Sequence, residues 1–430
     1  MLRQFDLRSS RTFSPDILQT RHTSSQKVGK TVAAIIRRVQ SQGDDALRYY
    51  SRKFDGAEIT SLRIPEKKIW SALADADPRF VRILREAAAN IWKFHIHQRR
   101  PAWRLGERFN SSLRQIYLPV ERAGVYIPGG KAAYPSTVLM NVIPAKVAGV
   151  REIVLVSPPD KEGNVHRDVL SAAALLDIKH VFRVGGAQAI AALAYGTKSI
   201  PSVDVIVGPG NVFVATAKRM VFGQVGIDSV AGPSEVVILA DESARPDFIA
   251  SDMLAQAEHD ESASSILVTP SVRLAESVDR EVVKMLHILP RNSIIASSLK
   301  NRGGTILVKD LRHGAEIVNA LAPEHLSIVT RNDGAILKKI KHAGSIFLGN
   351  YSPVVVGDYF AGPNHVLPTE RTARFSSPLS VDNFMKKSSV IQYTKRKMES
   401  ASEKVALFAE HEGLTAHALS ARLRGKRKRR

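Results

Sequence analysis

From Leu118 onward, short apolar runs alternate with longer stretches whose apolar positions recur at helical spacing. Residues 153–157 (IVLVS), 181–184, 203–207 (VDVIV), 236–240 (VVILA), 265–269, 306–308, 327–330 and 346–348 read as strands. Residues 168–176, 187–195, 211–220, 246–258, 272–289, 315–321 and 335–343 read as the helices between them. Strands alternating with helices predict βαβ units, hence an α/β fold with parallel sheets, and this many units predict two sheets. Ahead of them, residues 28–54 and 67–97 read as long amphipathic helices. The segment from Phe384 onward reads as helical and polar, an arm whose weak core points to a packing partner on another subunit.

Composition narrows the chemistry. The chain has 430 residues and no cysteine, which excludes disulfides, thiolate metal sites and a thiol nucleophile. No apolar run is long enough to span a bilayer, and the start MLRQFDLRSS lacks the apolar core of a signal peptide, so a cytoplasmic protein without membrane attachment is expected. The net charge of +21 raises the question of a polyanion partner. Seven of those charges sit in the last nine residues, RLRGKRKRR, and the remaining +14 is spread over 421 residues with acids interspersed. No aromatic residues cluster there as stacking platforms, which argues against nucleic acid as a partner.

Three groups of residues carry candidate chemistry. Gln256 and His259, three apart in AQAEHD, project from one face of a helix and can meet one ion, although a histidine at a helix end also fits a simple cap. Asp358, His365 and His417 lie in loop- or turn-rich contexts of the kind where α/β folds build sites. Such a nitrogen and oxygen donor set suits zinc, manganese or a similar divalent ion. Glu324 and His325 place an acid beside an imidazole after Pro323; they can serve one pocket if the backbone there is irregular, and otherwise form an ordinary charged helix end. Glycine-rich turns at 126–130 (YIPGG), 184–188 (VGGAQ) and 208–211 (GPGN) each lead into a helix, where free amides favour phosphate. None is a dinucleotide fingerprint, since Phe213 stands where a third glycine would be needed.

Together these segments resemble the histidinol dehydrogenase family. The resemblance is carried by GDDALRYYSRKFDG, ERAGVYIPGGKAAYPSTVLMN, VGGAQAIAALAYGT, VGPGNVFVATAKRMVFGQVGIDSVAGPSEVVILAD, AQAEHD, APEHLSI, GNYSPVVVGDYFAGPNHVLPT and EGLTAH, in the family's order from about residue 40 to residue 420. It implies two incomplete Rossmann-like parallel-sheet domains with small helical N- and C-terminal extensions, assembled as an intertwined homodimer with shared active sites. The implied division is 1–24 as an N-terminal extension, 25–122 with 236–375 as a first α/β domain with zinc and catalytic residues, and 123–235 as a second with NAD-contacting turns. Residues 376–430 form a helical arm completing the partner's site, with the basic tail at 422–430. The resemblance further implies one zinc ion per subunit on Gln256, His259, Asp358 and His417. Glu324 and His325 become the proton acceptors. Ser234, His365 and Glu412 join Gln256, His259, His325, Asp358 and His417 in contacting substrate, and Tyr126, Gln188 and Asn211 contact NAD.

The implied reaction is the four-electron oxidation of L-histidinol to L-histidine through L-histidinaldehyde, the last two steps of histidine biosynthesis. With no cysteine to form a thiohemiacetal, the second hydride is expected to leave a hydrated aldehyde. His325 would take the alcohol proton and Glu324 would activate the water. A zinc- and NAD-dependent alcohol dehydrogenase acting on another small polar alcohol, such as a sulfonated diol, is the rival reading; Glu412 suits a cation-bearing substrate instead. Two features depart from the family pattern: Glu370-Arg371 stand where members carry Gly-Gly or Ser-Gly, and RGKRKRR is no family hallmark.

Overall fold

The computed structural model describes residues 2–9, 25–105, 112–129 and 133–425. Contacts divide the chain into two units, one of Met1–Gln98 with Val120–Phe384 and one of Arg99–Pro119 with Met385–Arg430.

The first unit holds two parallel sheets. The smaller has the strand order His180–Arg183, Glu152–Ser157, Arg122–Tyr126, Val205–Val207, Gly226–Ile227. Arg122–Tyr126 comes first in sequence and lies in the middle, so the chain winds outward in both directions from it. That is the topological switch at which open α/β sheets form a crevice beyond their carboxyl ends. Helix Ser25–Gln42 and helix Asp44–Tyr50 place Val32, Ile35, Val39 and Leu47 in the core of this sheet with Val154, Phe182, Ile190 and Val221.

The larger sheet runs Arg3–Asp6, Gly303–Leu307, Ser264–Thr269, Glu235–Ala240, His325–Val329, Ser345–Leu348, all parallel. Its central strand EVVILA is buried on both faces: Val236 and Ile238 pack toward Ile249 and Met253, and Val237 and Leu239 toward Ile317 and Val318. A strand covered by helices on both sides needs this continuous apolar run.

The second unit contains an antiparallel sheet ordered Met385–Gln392, Ser112–Pro119, Trp103–Leu105 and a helical hairpin, Lys395–His411 and Thr415–Gly425. Small residues allow the hairpin's close approach, with Ala406, Ala409, Ala418 and Ala421 at its centre. Arg422 ties the two helices by ion pairs to Glu403 and Glu410.

The alternation from residue 152 to residue 348 follows the sequence reading closely. Four local readings are corrected. The segment from Phe384 opens with a strand, Met385–Gln392, whose eight positions all pair with Ser112–Pro119 far back in the chain. Within 1–24, Arg3–Asp6 is a strand that extends the larger sheet beside Gly303–Leu307. The helix read over 28–54 breaks at Gly43, φ +52, and ends in a single π-turn, Ser51–Asp55. The helix read over 67–97 is two, Glu66–Ala74 and Pro78–Ile96, because Pro78 can only begin a helix.

Candidate active site

Glu324 and His325 meet because the backbone ahead of them is irregular. Helix Leu311–Leu321 stops at the buried Ala322, which takes φ +46, and Pro323 forbids a further turn. The chain then enters strand His325–Val329, held by hydrogen bonds from Gly344 N to Pro323 O (2.9 Å) and from Ser345 N to Glu324 O (2.8 Å). Residue 344 must be glycine at this approach, since a Cβ there would lie 2.6 Å from Glu324 O. On a regular strand adjacent side chains diverge. Here Glu324 Oε2 and His325 Nδ1 stand 3.6 Å apart, both residues almost wholly buried.

Both groups are oriented by the start of the neighbouring strand. Glu324 Oε2 accepts from Glu235 N at 2.9 Å, and the Ser234 side chain is hydrogen-bonded to the same carboxyl group. His325 Nδ1 donates to Glu235 O at 3.1 Å, which directs Nε2 toward Asp358 Oδ1, 3.5 Å away and long for a hydrogen bond. Burial pushes Glu324 up to about 7, only partly countered by His325. Burial lowers His325, but the carboxylates of Glu324 and Asp358 outweigh it and carry the imidazole to about 9. The dry site thus holds a carboxyl group that titrates near neutrality beside an imidazolium that gives up its proton only on the alkaline side, two groups able to exchange protons with a substrate.

The cluster extends to helix Pro246–Ala257. Gln256 is buried near its end with Nε2 unpartnered among the described residues, and His259 follows three residues on. Burial lowers the His259 imidazole, although the residue as a whole is exposed, and Asp358 acts on it in the opposite sense. Asp358, on helix Val354–Tyr359, is held below the usual carboxylate range; burial raises it, and the side chain of His325 overcomes that. His365 donates from Nδ1 to Asp358 O (2.8 Å), and its Nε2 meets Thr137 Oγ1 at 3.3 Å, so both ring nitrogens already have partners. Burial keeps this ring neutral.

The strand directions place these groups at the amino edge of the larger sheet, where Glu235, His325 and Ser345 begin their strands. The glycine turns occupy the carboxyl edge of the smaller sheet. Thr137 opens helix Pro135–Ala148, which follows the first of those turns, so its bond to His365 links the two regions.

Tight approach, more than a phosphate cradle, explains the glycines. A Cβ on Gly208, φ +113, would sit 2.1 Å from Tyr126 O, and one on Gly129 or Gly185 would strike Pro158. Tyr126 is buried, its hydroxyl accepting from Gly186 N at 3.1 Å. Gln188 is buried with Oε1 unpartnered among the described residues. Asn211 caps helix Val212–Val221, Oδ1 accepting from Phe213 N and Val214 N, which leaves only its Nδ2 for a ligand.

Glu412 and His417 belong to the second unit, where Glu412 ends helix Lys395–His411, His417 lies on Thr415–Gly425, and both are exposed. Most of the basic tail lies outside the described residues.

Sequence reasoning missed Glu235. Burial first, then the charge of Glu324, push it up to about 8, and its Oε1 accepts from Glu370 N at 2.9 Å. Its signal was available: an acid at the head of an otherwise apolar central strand.

Among the described residues, no three His, Asp or Glu side chains form a metal cage by themselves. Gln256, His259 and Asp358 supply one amide, one neutral imidazole and one carboxylate, a donor set compatible with a borderline divalent cation that takes a fourth ligand from elsewhere. The unpartnered Gln256 amide fits that use, since its O and N assignments are interchangeable.

The two parallel sheets, a buried acid–base pair and a separate set of glycine turns define an α/β enzyme. Residues 18–425 match the family model described as histidinol dehydrogenase. The histidinol dehydrogenase of Geobacillus kaustophilus is 50% identical over 406 residues, 94% of this chain and 96% of that protein. That of Bacillus subtilis is 52% identical over 398 residues, 93% of each. The crystal structure of histidinol dehydrogenase from Elizabethkingia anophelis superposes with a TM-score of 0.92 at 35% identity, covering 98% of both chains. The chain belongs to the histidinol dehydrogenase family, whose members are oxidoreductases.

Proposed function

We propose that the chain oxidises L-histidinol to L-histidine through L-histidinaldehyde, passing four electrons to two NAD in turn. The observation that carries this reading is the buried Glu324–His325 pair, with Asp358 on its far side and His259 beyond. Hydride acceptance is NAD's chemistry, and the three glycine turns with Tyr126, Gln188 and Asn211 are the residues that would hold it. Zinc would act as a template and Lewis acid for the substrate's amine and imidazole nitrogens, held by Gln256, His259, Asp358 and His417.

The chain's own residues then divide the proton work. Glu235 O holds the hydrogen on Nδ1, so Nε2 is the atom that receives the alcohol proton in the first oxidation once the ring has lost its second proton; with the imidazole at about 9, that step should quicken as pH rises toward this value. Glu324, raised by burial, is poised to take a proton from water as the aldehyde is hydrated ahead of the second hydride. Ser234 and Glu235 N hold the Glu324 carboxyl in place, and His365 holds the Asp358 segment while presenting its face to substrate. Glu412 offers a carboxylate to the cationic end of histidinol. Because Glu412 and His417 sit on the arm, we assign them to the site of a second subunit, which makes the active form a homodimer with shared sites. No helix among the described residues is long and apolar enough to cross a membrane; we assign the enzyme to the cytoplasm, with histidinol and not nucleic acid as its partner.

The test is NADH formed per limiting L-histidinol, with and without prior chelation. Two NADH per substrate, lost on chelation and regained with zinc, is the expected result. One would mean that the reaction stops at the aldehyde, and turnover unaffected by complete metal removal would overturn the zinc assignment. Glu324→Gln should slow aldehyde oxidation by roughly 10² to 10⁴ and alcohol oxidation less; equal losses would contradict its role with water.

A further inference from the structure

Near the glycine turns stands a carboxylate that the reaction does not use. Asp55 closes the single π-turn Ser51–Asp55, immediately before Gly56 at φ +69. Such turns are rare and cluster at functional sites. Its Oδ2 is buried and has no hydrogen-bond partner among the described residues. Desolvation raises the group to about 6, and among the described residues no cation holds it down. It lies close enough to Tyr126 for its charge to act on the phenol, which burial first and Asp55 in addition push up to about 12.

The surroundings define what could satisfy it. The Tyr126 hydroxyl accepts from Gly186 N, and the Gln188 Oε1, also unpartnered, hangs over Gly186. One unpartnered acceptor therefore lies at the turn, and a second, Asp55 Oδ2, acts on the phenol that the turn's Gly186 N meets. A buried acceptor without a donor is costly, and a native structure that keeps two in one neighbourhood calls for an explanation. A phosphate cannot supply one, being anionic and without hydrogens to donate. A vicinal diol can, since its two hydroxyls donate to one carboxylate.

The fold gives the same direction. In sheets of this winding, an acid at the end of the second strand reads the adenosine ribose. Here that strand, Glu152–Ser157, runs into Pro158-Pro159, and the next acid, Asp160, is occupied by Asn164 N at 2.7 Å. Asp55 lies beside the turn after the third strand, on the same side of Arg122–Tyr126 as the second.

We propose that Asp55 binds the adenosine ribose diol of the dinucleotide, reaching in from the N-terminal helices to take the place that the second strand leaves vacant. The proposal rests on the NAD reading above. It also selects against a cofactor with a 2′-phosphate, which would meet the carboxylate head on.

Binding to the full-length protein without histidinol tests it. Calorimetry with ADP-ribose and 2′-deoxy-ADP-ribose should show the wild type binding the first about tenfold or more tightly, whereas Asp55→Asn binds both alike, with an affinity near that of the wild type for the deoxy compound. NADH fluorescence should show the preference for NADH over NADPH shrinking in the same variant. Wild-type protein that binds ADP-ribose and NADH but does not discriminate against the deoxy compound would overturn the assignment of Asp55 alone. Wild-type protein that binds neither would overturn the dinucleotide reading beneath it. An equal loss of both compounds in Asp55→Asn, with discrimination retained, would reduce Asp55 to a structural residue and overturn the proposal.

Discussion

At the scale of single residues, burial explains why Asp55 is worth measuring without any ligand. In the unfolded chain its carboxyl titrates near 3.9, and in the folded protein near 6. Below pH 4 both states hold the proton and folding is indifferent to it. Between pH 4 and 6 the unfolded state ionises first, so stability falls as pH rises, and above 6 the whole penalty is present. Asp55→Asn has no such proton, so its melting temperature should match the wild type at pH 4 and exceed it at pH 7, by about 1 kcal/mol or roughly 1–2 °C. A constant difference across that range would contradict the buried, unpaired carboxylate. Glu370 and Arg371 give a second case. Both are non-glycine residues with positive φ, +51 and +65. The sequence showed an unusual charged pair but not its cost, which is a strained left-handed backbone at two residues that carry a Cβ. Arg371→Gly relieves that strain and removes a buried, unpartnered Nε, so urea unfolding should show it more stable by up to about 1 kcal/mol after the entropic cost of glycine. A destabilised variant would mean that the arginine's remaining contacts outweigh the strain.

Elements were legible where their signal is local. Strands such as VVILA and helices such as Pro246–Ala257 announce themselves by composition and period, and both came out within a residue or two of the reading. Met385–Gln392 did not, because MKKSSVIQ carries no apolar alternation and owes its form to Ser112–Pro119, some 270 residues away. The acid–base pair was visible as Glu324-His325 after a proline, and Glu235 carried a signal as an acid heading an apolar strand, whereas Asp55 was hidden, since nothing in a sequence tells that an acid lacks a partner. A third concealed feature binds one element to a turn. Lys218, deep inside helix Val212–Val221, pairs with the buried Asp228 and donates to Gly208 O at 2.9 Å, while Asp228 Oδ2 accepts from Gly208 N at 2.8 Å. Both backbone groups of Gly208 are thereby fixed by one ion pair. Lys218→Met strands a buried carboxylate and should destabilise by about 3–5 kcal/mol; adding Asp228→Asn should recover most of it, since the remaining amide is uncharged. Chemical unfolding of the single and double variants decides this, and a double variant as unstable as the single would show that the lysine's worth lies elsewhere.

For the whole molecule, the decisive question is where the arm of one chain does its work. The hairpin Lys395–His411 and Thr415–Gly425 spends its small residues on itself and leaves Val405, Leu407, Phe408, Leu419 and Leu423 about half or more exposed. An apolar face of that kind is ordinarily covered by a partner. The arm also carries Glu412 and His417, the two residues of the proposed site that lie outside the first unit. If a second copy covers the face and receives those residues, every site is built from two chains. A subunit carrying Glu324→Gln, inactive in its own acid–base pair, still has a sound arm; one carrying His417→Asn has a sound pair and a defective arm. Each homodimer then fails to carry L-histidinol through to L-histidine at either site, while a heterodimer joins the sound arm to the sound pair at one site of its two, so L-histidine formation is the activity to follow. Refolding or co-expressing the two variants in equal amounts should return roughly one quarter of wild-type activity, as half of the randomly formed dimers would each hold one intact site. If instead each chain completed its own site, no pairing of these subunits could assemble an intact one, and the mixture would stay as inactive as its parents even where native mass spectrometry shows that heterodimers have formed.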